Sequence, residues 1–102
     1  MAFENIKSKF PIFEQKIKGK PLIYLDSANS SQKPKTVIDK ISSFYETEYS
    51  NVGRSVHTLA VKATNRFEAT RDKIQKYLNA KYREEIVFTK GATEAINLVA
   101  SS

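Results

Sequence analysis

The segment Val87-Phe88-Thr89-Lys90-Gly91-Ala92-Thr93-Glu94-Ala95-Ile96-Asn97 reads as the end of a strand, a glycine turn and the start of a helix. Glu85 to Thr89 supplies the short apolar, β-branched run expected of a strand, and the helix is predicted to begin near Ala92. A junction of this kind aims backbone N–H groups and a hydroxyl at one point, which suits a phosphate. Gly91 permits a tight turn and close backbone approach. The N–H groups of Ala92 and Thr93 have no intrahelical partner at a helix start, and Thr93 adds its hydroxyl. An ordinary turn capped by Thr93 has the same sequence, so Gly-Ala-Thr-Glu by itself does not choose between the two. Glu94 in the first turn complements the helix dipole without requiring any function. The chain stops five residues after Asn97, so the cradle is expected to be one part of a larger site.

Working outward, residues 59–78 carry an apolar stripe at helical spacing (Ala60, Ala63, Phe67, Ile74, Tyr77, Leu78). Lys62, Arg66, Glu68, Arg71, Asp72 and Lys76 are predicted on its wet face, which makes an amphipathic helix closed by Asn79-Ala80-Lys81. A second such helix is predicted over 34–49. Pro34 suits its first turn, and Val37, Ile38, Ile41, Phe44, Tyr45 and Tyr49 follow the helical period. Ser50 to Ser55 breaks it. Leu22-Ile23-Tyr24-Leu25, ending at Asp26, reads as a strand, and Ser27 to Lys33 as polar loop. Gly19-Lys20-Pro21 is a turn. Residues 2–10 are predicted to form a short helix with Phe3, Ile6 and Phe10 on one side, and Pro11 ends it or makes the turn after it. Two strands do not make a stable sheet alone. The order of elements therefore points to an α/β or α+β protein whose sheet is completed elsewhere.

The 102 residues fit one small domain or a piece of a larger one. A compact domain of that length buries roughly 60–70% of its unfolded surface. With 40% hydrophobic residues, five Tyr and six Phe, the composition is globular rather than disordered. There is no cysteine, which excludes disulfides, thiolate metal sites and a nucleophilic thiol within this chain. Met1 to Phe10 is charged and mixed, so no signal peptide is read there. No stretch approaches the ~20 apolar residues of a membrane helix, and a cytoplasmic location is expected. The net charge of +6 is spread along the chain and is mostly Lys. Nucleic-acid binders cluster such charge and add Arg forks or stacking aromatics. A solvated surface is expected instead.

Other candidate residues stand in the loops. His57 is the one histidine. It has no Cys or second His to share a metal, and a hydrogen-bonded structural role is its simplest reading. Arg54, three residues earlier, is either a surface residue or an anion contact. Asp26, Ser27, Asn29, Ser30 and Ser31 form either a turn of small polar residues or the wall of a pocket that needs small side chains.

Taken together, Tyr24-Leu25-Asp26-Ser27-Ala28, Gln32-Lys33-Pro34, Arg54-Ser55-Val56-His57-Thr58-Leu59 and Phe88-Thr89-Lys90-Gly91-Ala92-Thr93-Glu94-Ala95-Ile96-Asn97 resemble the opening quarter of the cysteine desulfurases. The nearest group is the SufS-like branch of the class V aminotransferase family. The four blocks follow in order across nearly the whole chain. The resemblance implies a fold type I pyridoxal-phosphate enzyme, homodimeric, with a large α/β domain and a smaller one. Residues 1–102 would be its N-terminal portion, supplying the N-terminal segment and the first strand and helix of the large domain. It implies pyridoxal 5′-phosphate (PLP) as cofactor, its phosphate held by the backbone of Ala92 and by the backbone and hydroxyl of Thr93. It places Ala28 and Asn29 at the substrate pocket, and Arg54 and His57 near the active site and dimer interface. The implied reaction takes L-cysteine to L-alanine and leaves a persulfide on an enzyme cysteine for iron–sulfur cluster assembly, with the cofactor ring as electron sink.

In the family the ring-stacking histidine, the aspartate paired with the pyridine nitrogen, the Schiff-base lysine and the persulfide cysteine lie downstream of these blocks. None of the thirteen lysines sits in a Ser-x-His-Lys context, and with no cysteine the chain cannot carry a persulfide. It is therefore expected to be inactive alone, with no catalytic residue and no metal site of its own. Asn29 stands where the family usually has Ala and is expected to crowd a close-fitting pocket. Gly53 stands where a His commonly precedes the Arg. Ser55 replaces the usual Gly, where strain is expected if the loop needs glycine torsions. A selenocysteine lyase or other class V member shares such blocks. A non-catalytic module is the alternative of another class, binding a complementary C-terminal chain, a full-length desulfurase or its sulfur acceptor.

Overall fold

The computed structural model describes residues 2–102, excepting the side chains of Ala2 and Glu4; Met1 of the predicted N-terminal stretch lies outside. The elements in chain order are α1 (Ala2–Lys7), a 3-10 turn (Pro11–Glu14), β1 (Lys16–Ile17), β2 (Lys20–Pro21), α2 (Lys35–Thr47), α3 (Thr58–Tyr77), a second 3-10 turn (Arg83–Glu85) and α4 (Ala92–Ala100). They form two bodies, Met1–Tyr49 and Ser50–Ser102. The described part is thus mostly helical with one small hairpin, and the expected α/β sheet is not formed within it.

In the first body, α1 ends at a turn where the Ser8 hydroxyl donates to the Asn5 carbonyl at 2.9 Å. Pro11 then starts the 3-10 turn, since its ring fixes φ and it needs no N–H partner there. The hairpin pairs Lys16 with Pro21 and Ile17 with Lys20, antiparallel. Its two-residue loop has Lys18 at φ 50 and Gly19 at φ 76. Positive φ at both positions matches the right-handed twist of the flanking strands. Helix α2 starts one residue later than Pro34, which is its N-cap in extended conformation. Its apolar side is largely uncovered. Val37, Ile38, Ile41, Tyr45 and Tyr49 are exposed, while Phe44, Tyr45 and Tyr49 pack ring against ring at 5.3–6.1 Å.

The predicted strand over Leu22–Leu25 is not formed. Ile23 and Leu25 are 77% and 91% exposed, and no neighbouring strand pairs with the segment. The expected strand over Glu85–Thr89 is likewise corrected. Glu85 closes the second 3-10 turn, and Ile86 to Thr89 run on without a partner strand. Apolar, β-branched runs become strands only where another strand takes their backbone groups, and none of the described residues does so here.

The second body is built on α3. Ala60 and Ala63 on its stripe are buried, as is Ile86, and these three make the buried apolar core of the described residues. Tyr77 and Leu78, predicted on the same stripe, stand in solvent at 88% and 62% exposure. Conversely, Glu68, Arg71 and Asp72, predicted on the wet face, are half-buried because the second 3-10 turn docks on them. Arg83 pairs with Glu68 at 2.8 Å and Asp72 at 3.1 Å. Arg71 lies 3.3 Å from Glu68, donates to the Ile86 carbonyl, and stands 5.4 and 5.0 Å from the ring centroids of Phe67 and Phe88. Helix α3 ends in a Schellman motif. Asn79 takes φ 54, its N–H donates to the Lys76 carbonyl, and the Ala80 N–H donates to Gln75.

Candidate functional site

The turn before α4 positions the residues expected to hold a phosphate. The Glu94 carboxylate reaches back to accept the Lys90 N–H at 2.9 Å, and the Thr89 hydroxyl donates to the Gly91 carbonyl at 3.1 Å. The Ala95 N–H donates to Gly91 as the first intrahelical bond. The N–H groups of Ala92 and Thr93, and the Thr93 hydroxyl, make no hydrogen bond among the described residues. These donors, with the positive end of the α4 dipole, are what a phosphate needs. Glu94, the one acid in the first turn, is drawn back toward Lys90.

The Gly91 φ of 170 and ψ of −178 are extended backbone open to any residue, so the turn requires no left-handed torsion there. A Cβ there would meet nothing within 4 Å, which leaves the approach to the turn open.

Arg54 and His57 lie in the loop leading to α3, in the same body. His57 is the N-cap of that helix, and its Nδ1 accepts the Ala60 N–H at 3.3 Å. That bond puts the proton of the neutral ring on Nε2, which faces the Ser50 hydroxyl at 3.5 Å. The loop is fastened by Asn51 donating to the Ser55 hydroxyl at 2.6 Å and by the Gly53 N–H donating to the Thr64 hydroxyl at 3.0 Å. The positive φ of this loop is at Gly53 (111°), and Ser55 has none. The strain expected at Ser55 is therefore absent, because the left-handed torsion sits two residues earlier on a glycine. The Arg54 side chain is exposed and carries no ion pair or hydrogen bond among the described residues.

Ala28 and Asn29 belong to the first body. Asn29 folds back on Asp26, donating its side-chain amide to Oδ1 at 2.8 Å and its N–H to the carbonyl at 3.1 Å. The Tyr24 hydroxyl donates to the carbonyls of Ser30 and Asp26 and braces the turn. The segment is an exposed polar turn in which the Asn29 side chain is turned onto the Asp26 carboxylate.

Sequence reading missed the cluster of Glu68, Arg71, Asp72 and Arg83. Its signal was present, since charges three and four residues apart share one helix side and Arg83 follows in the next turn. Among the described residues no helix is long and apolar enough to cross a membrane, and no group of His, Asp and Glu is arranged to hold a metal.

The family model described as aminotransferase class-V matches residues 23–102. A cysteine desulfurase of Pectobacterium atrosepticum is 50% identical over 99 residues, covering 97% of this chain and 24% of the relative. One of Serratia proteamaculans is also 50% identical, over 97% of this chain and 24% of its own length. The apo structure of a cysteine desulfurase from Thermococcus onnurineus NA1 superposes with a TM-score of 0.81 at 35% identity, covering 95% of this chain and 22% of that one. The chain thus spans about a quarter of the length of the curated relatives it matches. Intact members of the matched family use PLP, and the free donors at Ala92 and Thr93 fit its phosphate while offering nothing specific to its ring. The chain belongs to the class V aminotransferase family and is a homologue of the cysteine desulfurases.

Proposed function

We propose that this chain is the N-terminal, phosphate-gripping part of a desulfurase-type PLP site and that it is not catalytic by itself. The observation that carries this is the unpartnered donor set at the head of α4, formed by the N–H groups of Ala92 and Thr93 and the Thr93 hydroxyl, inside the matched segment. Bound PLP supplies the electron sink for breaking bonds at the substrate. The chain's own residues do simpler work. Ala92 and Thr93 hold the phosphate and so fix where the cofactor lies. Glu94 locks the turn through Lys90, and His57 caps α3 so that the loop bearing Arg54 keeps its course. In this reading the intact assembly takes L-cysteine to L-alanine and an enzyme persulfide, in the cytoplasm, as a homodimer that hands sulfur to an acceptor. Ala28, Asn29, Arg54 and His57 line or border its pocket or interface.

The test is a chimera in which this chain replaces the aligned quarter of the Pectobacterium atrosepticum desulfurase. The chimera is expected to retain PLP and to release alanine from cysteine. Thr93→Val should weaken PLP retention by about 10–100-fold, the equivalent of one lost charge-assisted hydrogen bond. A folded chimera that holds no cofactor, or one indifferent to Thr93→Val, overturns the assignment. Alanine production by this chain alone overturns the claim that it is inactive.

A further inference from the structure

The turn over residues 26–30 is held by one side chain from outside it. Exposure alternates along residues 22–25: Leu22 and Tyr24 are half-buried, while Ile23 and Leu25 stand in solvent, the period-two pattern of extended chain. The Tyr24 ring is thus seated on the first body, and its polar tip reaches out of that seat. Its hydroxyl donates to the Ser30 carbonyl and, at 3.2 Å, to the Asp26 carbonyl. These two carbonyls stand at the two ends of the turn, with Ser27, Ala28 and Asn29 between them.

Two carbonyl oxygens aimed at one point repel each other, and an O–H hydrogen shared between them offsets that repulsion. The Asp26 carbonyl also accepts the N–H groups of Asn29 at 3.1 Å and Ser30 at 3.2 Å. Three donors therefore meet on one oxygen, and the Asn29 side-chain amide adds a tie to the Asp26 carboxylate at 2.8 Å. The N–H groups of Ser27 and Ala28 make no hydrogen bond among the described residues, so the middle of the turn is fixed by its ends. Tyr24→Phe leaves the ring in its seat and removes only the donor that joins those ends. The Ser30 carbonyl then has no partner among the described residues.

We infer that Tyr24 is a positioning residue for the substrate pocket. Through the carbonyls of Asp26 and Ser30 it sets where Ala28 and Asn29 stand, and so how tightly an amino-acid substrate is held. The place of Ala28 and Asn29 at the pocket rests on the function proposed above, whereas the bridge itself rests on the geometry of this turn. Tyr24 acts through the turn and touches no reacting atom, so its loss should lower substrate affinity and spare the chemical step. PLP retention should be untouched, because the donors at Ala92 and Thr93 belong to the other body.

The experiment uses the chimera in which this chain replaces the aligned quarter of the Pectobacterium atrosepticum desulfurase, with L-cysteine as substrate and alanine release as readout. Tyr24→Phe should raise KM by about 3–10-fold, the scale of one neutral hydrogen bond. Its kcat should stay within about twofold, and its PLP content should equal that of the parent chimera. Tyr77→Phe removes a hydroxyl that bonds nothing among the described residues, on a side chain 88% exposed, and should leave KM within about twofold. An unchanged KM in Tyr24→Phe overturns the positioning role, as does a fall in kcat at constant KM or an equal rise of KM in Tyr77→Phe. In the free chain, the Asn29 and Ser30 amides should exchange at least about threefold faster in Tyr24→Phe than in the parent. Equal rates show that the hydroxyl does not hold the turn, and they overturn the inference even where the variant chimera fails to fold. A parent chimera that never releases alanine overturns the function proposed above. An active parent indifferent to Tyr24→Phe overturns the role of Tyr24 alone.

Discussion

Arg71 is the residue on which the second body should depend most. Its guanidinium donates to the carbonyl of buried Ile86, stands over the rings of Phe67 and Phe88, and approaches Glu68. Truncation to alanine removes a charge-assisted hydrogen bond of about 1.5–3 kcal/mol and leaves the Ile86 carbonyl unpaired. It also removes two ring contacts of about 0.5–1 kcal/mol each. The Glu68 pair adds little, because Glu68 is 41% exposed and Arg83 holds the same oxygen at 2.8 Å; such pairs are worth about 0–1 kcal/mol. One guanidinium makes all these contacts, so they do not add fully, and the net loss should be about 2–4 kcal/mol. That is a large share of the stability of a body with three buried apolar side chains. Arg71→Lys keeps the charge but not the fork and should lose about half as much. Urea titration followed by helix circular dichroism reads the loss, and exchange of the Ile86 amide, which donates to Arg83, reads whether the segment detaches. A change below about 0.5 kcal/mol in Arg71→Ala, the level of an ordinary surface substitution, would refute the view that Arg71 fastens Ile86–Phe88 to α3.

Three further outcomes are expected. His57→Ala should destabilise α3 by about 0.5–2 kcal/mol by removing its cap, while His57→Asp, a good cap by type, should restore most of it; equal thermal midpoints for all three would show that Nδ1 caps nothing. Gly53→Ala should cost about 1 kcal/mol or more, because a Cβ is strained at φ 111 although space is free around it. The check is a denaturant midpoint, and no change would mean the loop relaxes to negative φ. Lys18→Asn should stabilise the hairpin by a few tenths to about 1 kcal/mol, since Asn-Gly suits two successive positive φ values; amide exchange at Lys20 reads this, and faster exchange there would contradict the turn assignment.

The helices were legible because their signals are local. Apolar spacing placed α2 and α3 within two residues of their observed ends, and Gly91-Ala92 marked the start of α4. Asn79 was legible as a stop, although its left-handed torsion was not. The strands failed for a physical reason. Leu22–Leu25 and Glu85–Thr89 have strand composition, but a strand is defined by a partner, and composition says nothing of where the partner is. The hairpin at Lys16–Pro21 was seen only as a turn, since two-residue strands leave no periodicity to read. Of the site, the free donors at Ala92 and Thr93 follow from any helix start and were readable. The capping role of His57 needed the distance to Ala60. The Arg71–Glu68–Arg83–Asp72 cluster needed the turn at 83–85 to fold back onto α3.

The most direct test of the cofactor assignment is a crystal structure of the Pectobacterium atrosepticum chimera bearing this chain, grown with PLP. The account predicts the phosphate within hydrogen-bond distance of the Ala92 and Thr93 nitrogens and of the Thr93 hydroxyl, at the head of α4. A phosphate held by other residues, with those three donors left to water, would contradict it.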